Sequence, residues 1–173
     1  MKGWNEKILE IDLTTGAVKT HPLDMEMAQL FLGGRGLGAR LLYDLVGADV
    51  DPLSPENVLI IANGPLTATG YQTSNRFSVT TKSPLTGTVL DANSGGFWGM
   101  QFKKTGYDAL IVRGKASKPT WIEIKNGGDL LPPFLIYVFR YGRGDKESSS
   151  RIWMLRPHQE NEEYHANKAE SDG

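Results

Sequence analysis

The sequence has no cysteine. Disulfides, thiolate-bound zinc and an iron–sulfur cluster held by this chain alone are therefore excluded. Neither sign of charge is in excess: 19 Lys and Arg stand against 20 Asp and Glu, a formal net charge of −1. That balance gives no electrostatic reason to expect nucleic acid or an anionic membrane surface as partner. Long hydrophobic runs are missing as well. The opening MKGWNEKILEIDL lacks the apolar stretch of a secretory signal. The longest apolar runs, such as Phe134–Phe139, fall far short of the ~20 residues of a membrane helix. A cytoplasmic protein is the expectation. His21, His158 and His165 have no metal-ligand spacing and read as surface residues. No carboxylate pair suggests acid–base work, and no serine sits in a nucleophile elbow.

What is present is a chain of 173 residues, long enough for one domain with its own core. Lys7–Leu13 reads as a strand, Thr14-Thr15-Gly16 as a turn and Ala17–Thr20 as the returning arm. Asp24 is placed to cap a helix over Met25–Leu32, with Met27, Leu30 and Phe31 on one face. Gly33-Gly34 ends that helix, and a second starts near Gly36 and runs through Leu45. Val58–Ala62 is a continuous apolar run suited to a strand covered on both faces. Arg76–Thr81, Thr88–Leu90, Tyr107–Val112 and Thr120–Lys125 read as further strands, with a short helix from Phe97 to Lys104. Strands outnumber helices and are expected to pair mostly with near neighbours. The fold class is therefore α+β, with mixed or antiparallel sheets and short helices. After about Gly127 the character changes, and the polar end from His158 to Gly173 is expected to be disordered.

Glycine is abundant and clustered, with 20 residues in all. The run Gly33-Gly34-Arg35-Gly36-Leu37-Gly38-Ala39 contains a G-x-G-x-x-A pattern. A dinucleotide site is rejected, because that pattern needs a preceding strand and a helix precedes it here. Two readings stay open: a turn whose glycines allow positive φ and close packing, or a loop that aims Arg35 at an anion. Asn93-Ser94-Gly95-Gly96 before a helix is the stronger candidate. Small residues leave amide groups bare, and these can hold a phosphate. The Asn93 carbonyl is also an oxygen ligand of the kind Mg²⁺ favours. The alternative is an ordinary glycine turn. Arg76, following the polar loop Thr69–Asn75, can pair with phosphate or serve as an exposed structural arginine. Lys82 and Arg113 rank below it.

A series of phrases carries more than any single motif. Gly3-Trp4 opens the chain, and Asp12-Leu13-Thr14-Thr15-Gly16 closes the first strand. There follow Phe31-Leu32-Gly33-Gly34-Arg35-Gly36-Leu37, Pro52-Leu53-Ser54-Pro55-Glu56-Asn57 and Gly64-Pro65-Leu66-Thr67. Then come Thr81-Lys82-Ser83-Pro84-Leu85-Thr86-Gly87, Ala92-Asn93-Ser94-Gly95-Gly96 and Gly106-Tyr107-Asp108-Ala109. In this order and spacing, residues 1–126 or so resemble the N-terminal domain of the tungsten-containing aldehyde:ferredoxin oxidoreductase family.

The resemblance implies a base on which a tungsten bis-pterin (tungstopterin) lies, with Mg²⁺ bridging the two pterin phosphates. It places Arg76 at the pterin-contacting arginine and Asn93 at the residue whose backbone carbonyl reaches Mg²⁺. Gly95, flanked by Ser94 and Gly96, falls in the loop against the pterin. No residue of this chain is implied as acid, base or nucleophile. The implied reaction converts an aldehyde and water to a carboxylic acid, with electrons passing to ferredoxin. The family's 4Fe–4S cluster is held by cysteines, and this sequence has none. The expected organisation is a partial N-terminal-like domain over residues 1–128 and an unrecognised tail over 129–173. Alone, such a chain is expected to be inactive. Its remainder would come from a separately encoded chain, or its second half-cradle from a homodimer. The alternatives are a stand-alone pterin-binding or assembly module and a non-functional, frameshifted fragment.

Overall fold

The computed structural model describes residues 3–117, 120–124, 134–138 and 152–154. The polar end from His158 to Gly173 and the boundary expected near residue 128 lie outside the described residues. A six-stranded mixed sheet forms the body, in the order β2-β1-β6-β3-β4-β5. Its strands are β1 (Lys7–Asp12), β2 (Val18–Pro22), β3 (Leu59–Asn63), β4 (Phe77–Lys82), β5 (Val89–Ser94) and β6 (Ala109–Arg113). Three short helices accompany it: α1 (Met25–Phe31), α2 (Gly34–Leu45) and α3 (Trp98–Lys104). The α+β expectation holds. A second, antiparallel sheet joins β7 (Thr120–Ile124), β8 (Phe134–Val138) and β9 (Ile152–Met154). Among the described residues no helix is long and apolar enough to cross a membrane.

Neighbour pairing accounts for β1–β2, β3–β4 and β4–β5, all antiparallel. The exception is β6, which inserts at the centre, parallel to β1 and antiparallel to β3. Its sequence ALIVR is apolar at four successive positions, and all four are buried. Such a strand is stable only where both faces are covered, so it takes a central place despite its distance along the chain.

Strand alternation divides the core in two. On one face Ile8, Ile60, Ala62, Ala109 and Ile111 meet Leu37, Leu41 and Leu42 of α2. On the other, Leu9, Ile11, Ile61, Phe77, Val79, Leu110 and Val112 meet Trp98 and Phe102 of α3 and Ile122 and Ile124 of β7. The glycine run serves the first face. A Cβ on Gly38 would lie 2.4 Å from the Thr80 hydroxyl of β4, so the helix approaches the sheet at a bare Cα. Close packing, one of the two readings of that run, is thus observed.

Two expectations need correction. The second helix begins at Gly34, two residues earlier than read. The Met27, Leu30 and Phe31 face of α1 enters the core only in part: Met27 packs against the α2 side of it, but Leu30 is 72% exposed and Phe31 36%, whereas Ala28 is fully buried. The helix is only seven residues long, and α2 already covers the sheet, so α1 buries Ala28 fully and lays Met25 and Met27 against the edge of the core. Its cap is as expected, with Asp24 Oδ1 accepting from Glu26 N (2.8 Å) and Met27 N (3.3 Å).

Lys82 is structural. Its buried ammonium donates to the carbonyls of Gly47 (3.3 Å), Ala48 (2.5 Å) and Val50 (2.8 Å), tying down the chain after α2. Lys82→Met is expected to cost about 1–2 kcal/mol, because water can satisfy the exposed carbonyls once the ammonium is gone. Urea unfolding checks this; an unchanged midpoint would show that the three bonds contribute nothing.

Candidate cofactor site

The β4–β5 hairpin builds the site. Its last pair sets Phe77 opposite Ser94. The next residues outward on the two arms are Arg76 and Gly95. The two are 19 positions apart in sequence, yet both line one open cleft of about 350 Å³, together with Thr73, Asn75, Gly96 and Phe97. The cleft therefore unites Arg76, Gly95 and Gly96 of the five residues singled out from the sequence. Asn93 and Ser94 are not in its lining. They belong to the exposed end of edge strand β5, not to the loop before the helix as read. That strand escaped full recognition because its last four residues, Asp91–Ser94, are small or polar, and ladder hydrogen bonds to β4 rather than apolar burial hold it.

Each wall has a local cause. Gly96 has φ +89°, a conformation open mainly to glycine, and a Cβ on Gly95 or Gly96 would meet no atom within 4 Å. The turn thus presents bare backbone to open space. Across from it, Arg76 is exposed and has no hydrogen-bond or carboxylate partner among the described residues. The other described arginines are paired: Arg35 with Asp91 (2.8 Å), Arg40 with Asp44 (2.9 Å) and Arg113 with Glu10 (3.1 Å). Arg35 is therefore paired with a carboxylate on the protein, although its side chain stays 72% exposed. His21 likewise stands 3.1 Å from Glu10.

The loop leading to Arg76 is braced internally. Thr67 Oγ1 donates to Ser74 O (3.0 Å), and Ala68 N donates to Asn75 Oδ1 (3.3 Å). Thr73, on the cleft wall, has φ +58°, an uncommon and strained value for a β-branched residue. Opposite it, α3 presses against the same loop at Gly99, where a Cβ would lie 2.7 Å from Asn75 O. Thr73, Asn75 and Phe97 were not singled out from the sequence. The turn Ser83–Gly87 was, and its symmetric hairpin register is the signal that brings residues 73–76 to residues 95–97.

Asn93 is held firmly. Ser78 Oγ donates to its Oδ1 (3.0 Å), and its Nδ2 donates to Asp91 Oδ2 (2.7 Å). Its side-chain oxygen and amide are thus both engaged within the protein. Among the described residues no cluster of three or more His, Asp or Glu forms a metal site.

A mixed-sheet α+β domain with an open cleft, lined by an arginine and two glycines, beside its edge hairpin is the class defined by fold and site. The chain belongs to the aldehyde ferredoxin oxidoreductase family, whose N-terminal-domain model matches residues 8–138. The match runs beyond the 126 residues over which the resemblance was read and includes β8. A tungsten-containing aldehyde ferredoxin oxidoreductase of Pyrococcus furiosus is 51% identical over 120 residues, covering 69% of this chain and 20% of the relative. An aliphatic sulfonate oxidoreductase, WOR-like subunit, of the same organism is 40% identical over 129 residues, covering 73% of this chain and 20% of the relative. Among solved structures, the active-site complex BamBC of benzoyl coenzyme A reductase with 1,5-dienoyl-CoA is 40% identical with a TM-score of 0.66. It covers 68% of this chain and 18% of that chain. The chain thus spans about a fifth of the length of the curated relatives it matches.

Proposed function

We propose that this chain is the N-terminal, cofactor-seating part of an aldehyde:ferredoxin oxidoreductase, and that its cleft holds the phosphorylated end of a tungsten-bearing pterin. The observation that carries this is the shared cleft: an arginine without a protein partner among the described residues lines it together with two glycines whose backbone no neighbouring atom covers. The residues present fit such a group. The Arg76 guanidinium offers a fork of donors matched to phosphate oxygens. Gly95 and Gly96 let a ligand approach the backbone, and Ser94 stands beside them. The Asn93 carbonyl is one oxygen ligand for Mg²⁺, which takes about six, several of them water. When bound, the tungsten-pterin group supplies the two-electron oxidation of an aldehyde to a carboxylic acid. The residues of this chain bind and orient; none of them exchanges a proton with substrate in this reading.

The electron relay to ferredoxin lies outside this sequence, which has no cysteine to hold a 4Fe–4S cluster. Turnover therefore requires further polypeptide, from a separately encoded chain or from the continuation that the longer relatives carry.

Arg76 tests the seat directly. Arg76→Ala is expected to weaken binding of inorganic pyrophosphate to the purified chain about tenfold to hundredfold, the range for charge-assisted hydrogen bonds. Arg76→Lys, which keeps charge but loses the fork, is expected to fall between. Calorimetric titration reads this, and equal affinity in all three proteins would sink the proposal.

A further inference from the structure

Aromatic side chains around α3 divide into two kinds. Phe77, Trp98 and Phe102 form a buried stack, with ring centroids 4.5 Å apart for Phe77–Trp98 and 5.2 Å for Trp98–Phe102. Phe97, immediately before Trp98, is 70% exposed and lines the cleft. It adds nothing to either core cluster. Its position is nevertheless well determined. The next two residues anchor it: Trp98 in the core, and Gly99 against the backbone of Asn75, with Asn63 Nδ2 donating to Gly99 O (3.1 Å). Asn75 directly precedes Arg76. The same contact therefore joins the two backbone segments that carry Arg76 and Phe97, both of which line the cleft.

Much of the cleft wall is carbon rather than polar atoms. A site for phosphate alone has no use for this, because a free oxyanion gains nothing against an apolar wall and loses hydration there. A planar ring system carrying a phosphate gains on both counts. Its phosphate meets Arg76 and the glycine amides, and its flat face meets an aromatic ring of matching shape. We infer that Phe97 determines specificity in this cleft, supplying the surface that makes it select a phosphate joined to a planar heteroaromatic ring over phosphate alone. This rests on the proposed cofactor seat and adds a residue and a selection rule to it.

The test uses the full 173-residue chain with two probes, inorganic pyrophosphate by calorimetry and a pterin monophosphate by quenching of its fluorescence. Phe97→Ala is expected to weaken the pterin monophosphate about tenfold and to leave pyrophosphate within about twofold. Phe97→Leu keeps bulk without a flat face and should fall between, whereas Phe97→Tyr should match the parent. Truncating an exposed side chain leaves no core cavity, so all three variants are expected to fold. Arg76→Ala is the reference and should weaken both probes. If the parent chain binds neither probe, the seat itself fails and this inference with it. If pyrophosphate binds through Arg76 but Phe97→Ala holds the pterin monophosphate as tightly as the parent, the seat stands and the selection rule falls. Equal loss of both probes in Phe97→Ala would also overturn the rule, since it would show general damage to the cleft.

Discussion

Asp108→Ala is expected to destabilise the domain by about 3–5 kcal/mol, the cost of leaving one member of a buried ion pair alone. Asp108 is fully buried, Lys103 is 6% exposed, and their side chains are in direct contact. The carboxylate also accepts from the backbone amides of Asn5 (2.9 Å) and Glu6 (2.7 Å), and so ties the N-terminal segment to α3. Lys103 stands 5.0 Å over the Trp4 ring, adding a cation–π contact to the same knot. Removing the carboxylate strands an ammonium and two amides at once. Burial already pushes the Lys103 ammonium below the usual lysine range, and Asp108 opposes that shift. Without Asp108 the shift should deepen. The unfolded lysine keeps its value near 10.5. Between the lowered folded value and that point the unfolded chain binds more protons, so stability rises with pH. The deficit of Asp108→Ala should therefore shrink in alkali. Urea unfolding at neutral and alkaline pH measures both effects. A variant within about 1 kcal/mol of the parent at neutral pH would mean that the pair is dispensable.

Gly33→Ala should have an effect of similar size, for a steric reason. Gly33 has φ +96° and ψ −172°, a region that is nearly glycine-only and costs other residues about 1–3 kcal/mol. A Cβ there would also sit 2.5 Å from Asn63 O and 3.0 Å from the Gly64 Cα, both backbone atoms that cannot rotate away. Overpacking of this kind adds about 1–3 kcal/mol. Gly34→Ala is the internal control. Its φ of +51° lies in the ordinary left-handed region, and the nearest atom to a Cβ is Ser78 Oγ at 3.9 Å. It should cost only about 1–2 kcal/mol. Thermal unfolding of the two variants side by side decides the matter. Equal losses would show that the close approach of Gly33 to β3 is not the cause.

The strands with dense apolar residues, Ile8–Ile11, Leu59–Ala62 and Ala109–Val112, could be read directly, because their burial is written in side-chain type. So could the Asp24 cap and the turn at Ser83–Gly87, where local hydrogen bonds and glycine carry the signal. Of β5 only Val89 and Leu90 could be read as strand, and the stretch Asp91–Ser94 could not. An edge strand held by its neighbour's backbone needs no apolar residues, and so leaves little pattern to find.

The amino-acid sequence by itself determined the α+β class, the lack of any thiol for a metal cluster, and the residue types able to hold an anion. Tertiary structure alone decided which of those residues share a surface. Hairpin register brought Arg76 to Gly95 and carried Phe97 to the same opening, while Asn93 and Ser94 stayed on the strand. It likewise spent Arg35 on Asp91 and Lys82 on three carbonyls. A guanidinium or ammonium has the same chemistry wherever it lies. Whether a protein oxygen already answers its charge depends on contacts between residues far apart in the chain, and residue type does not encode those contacts.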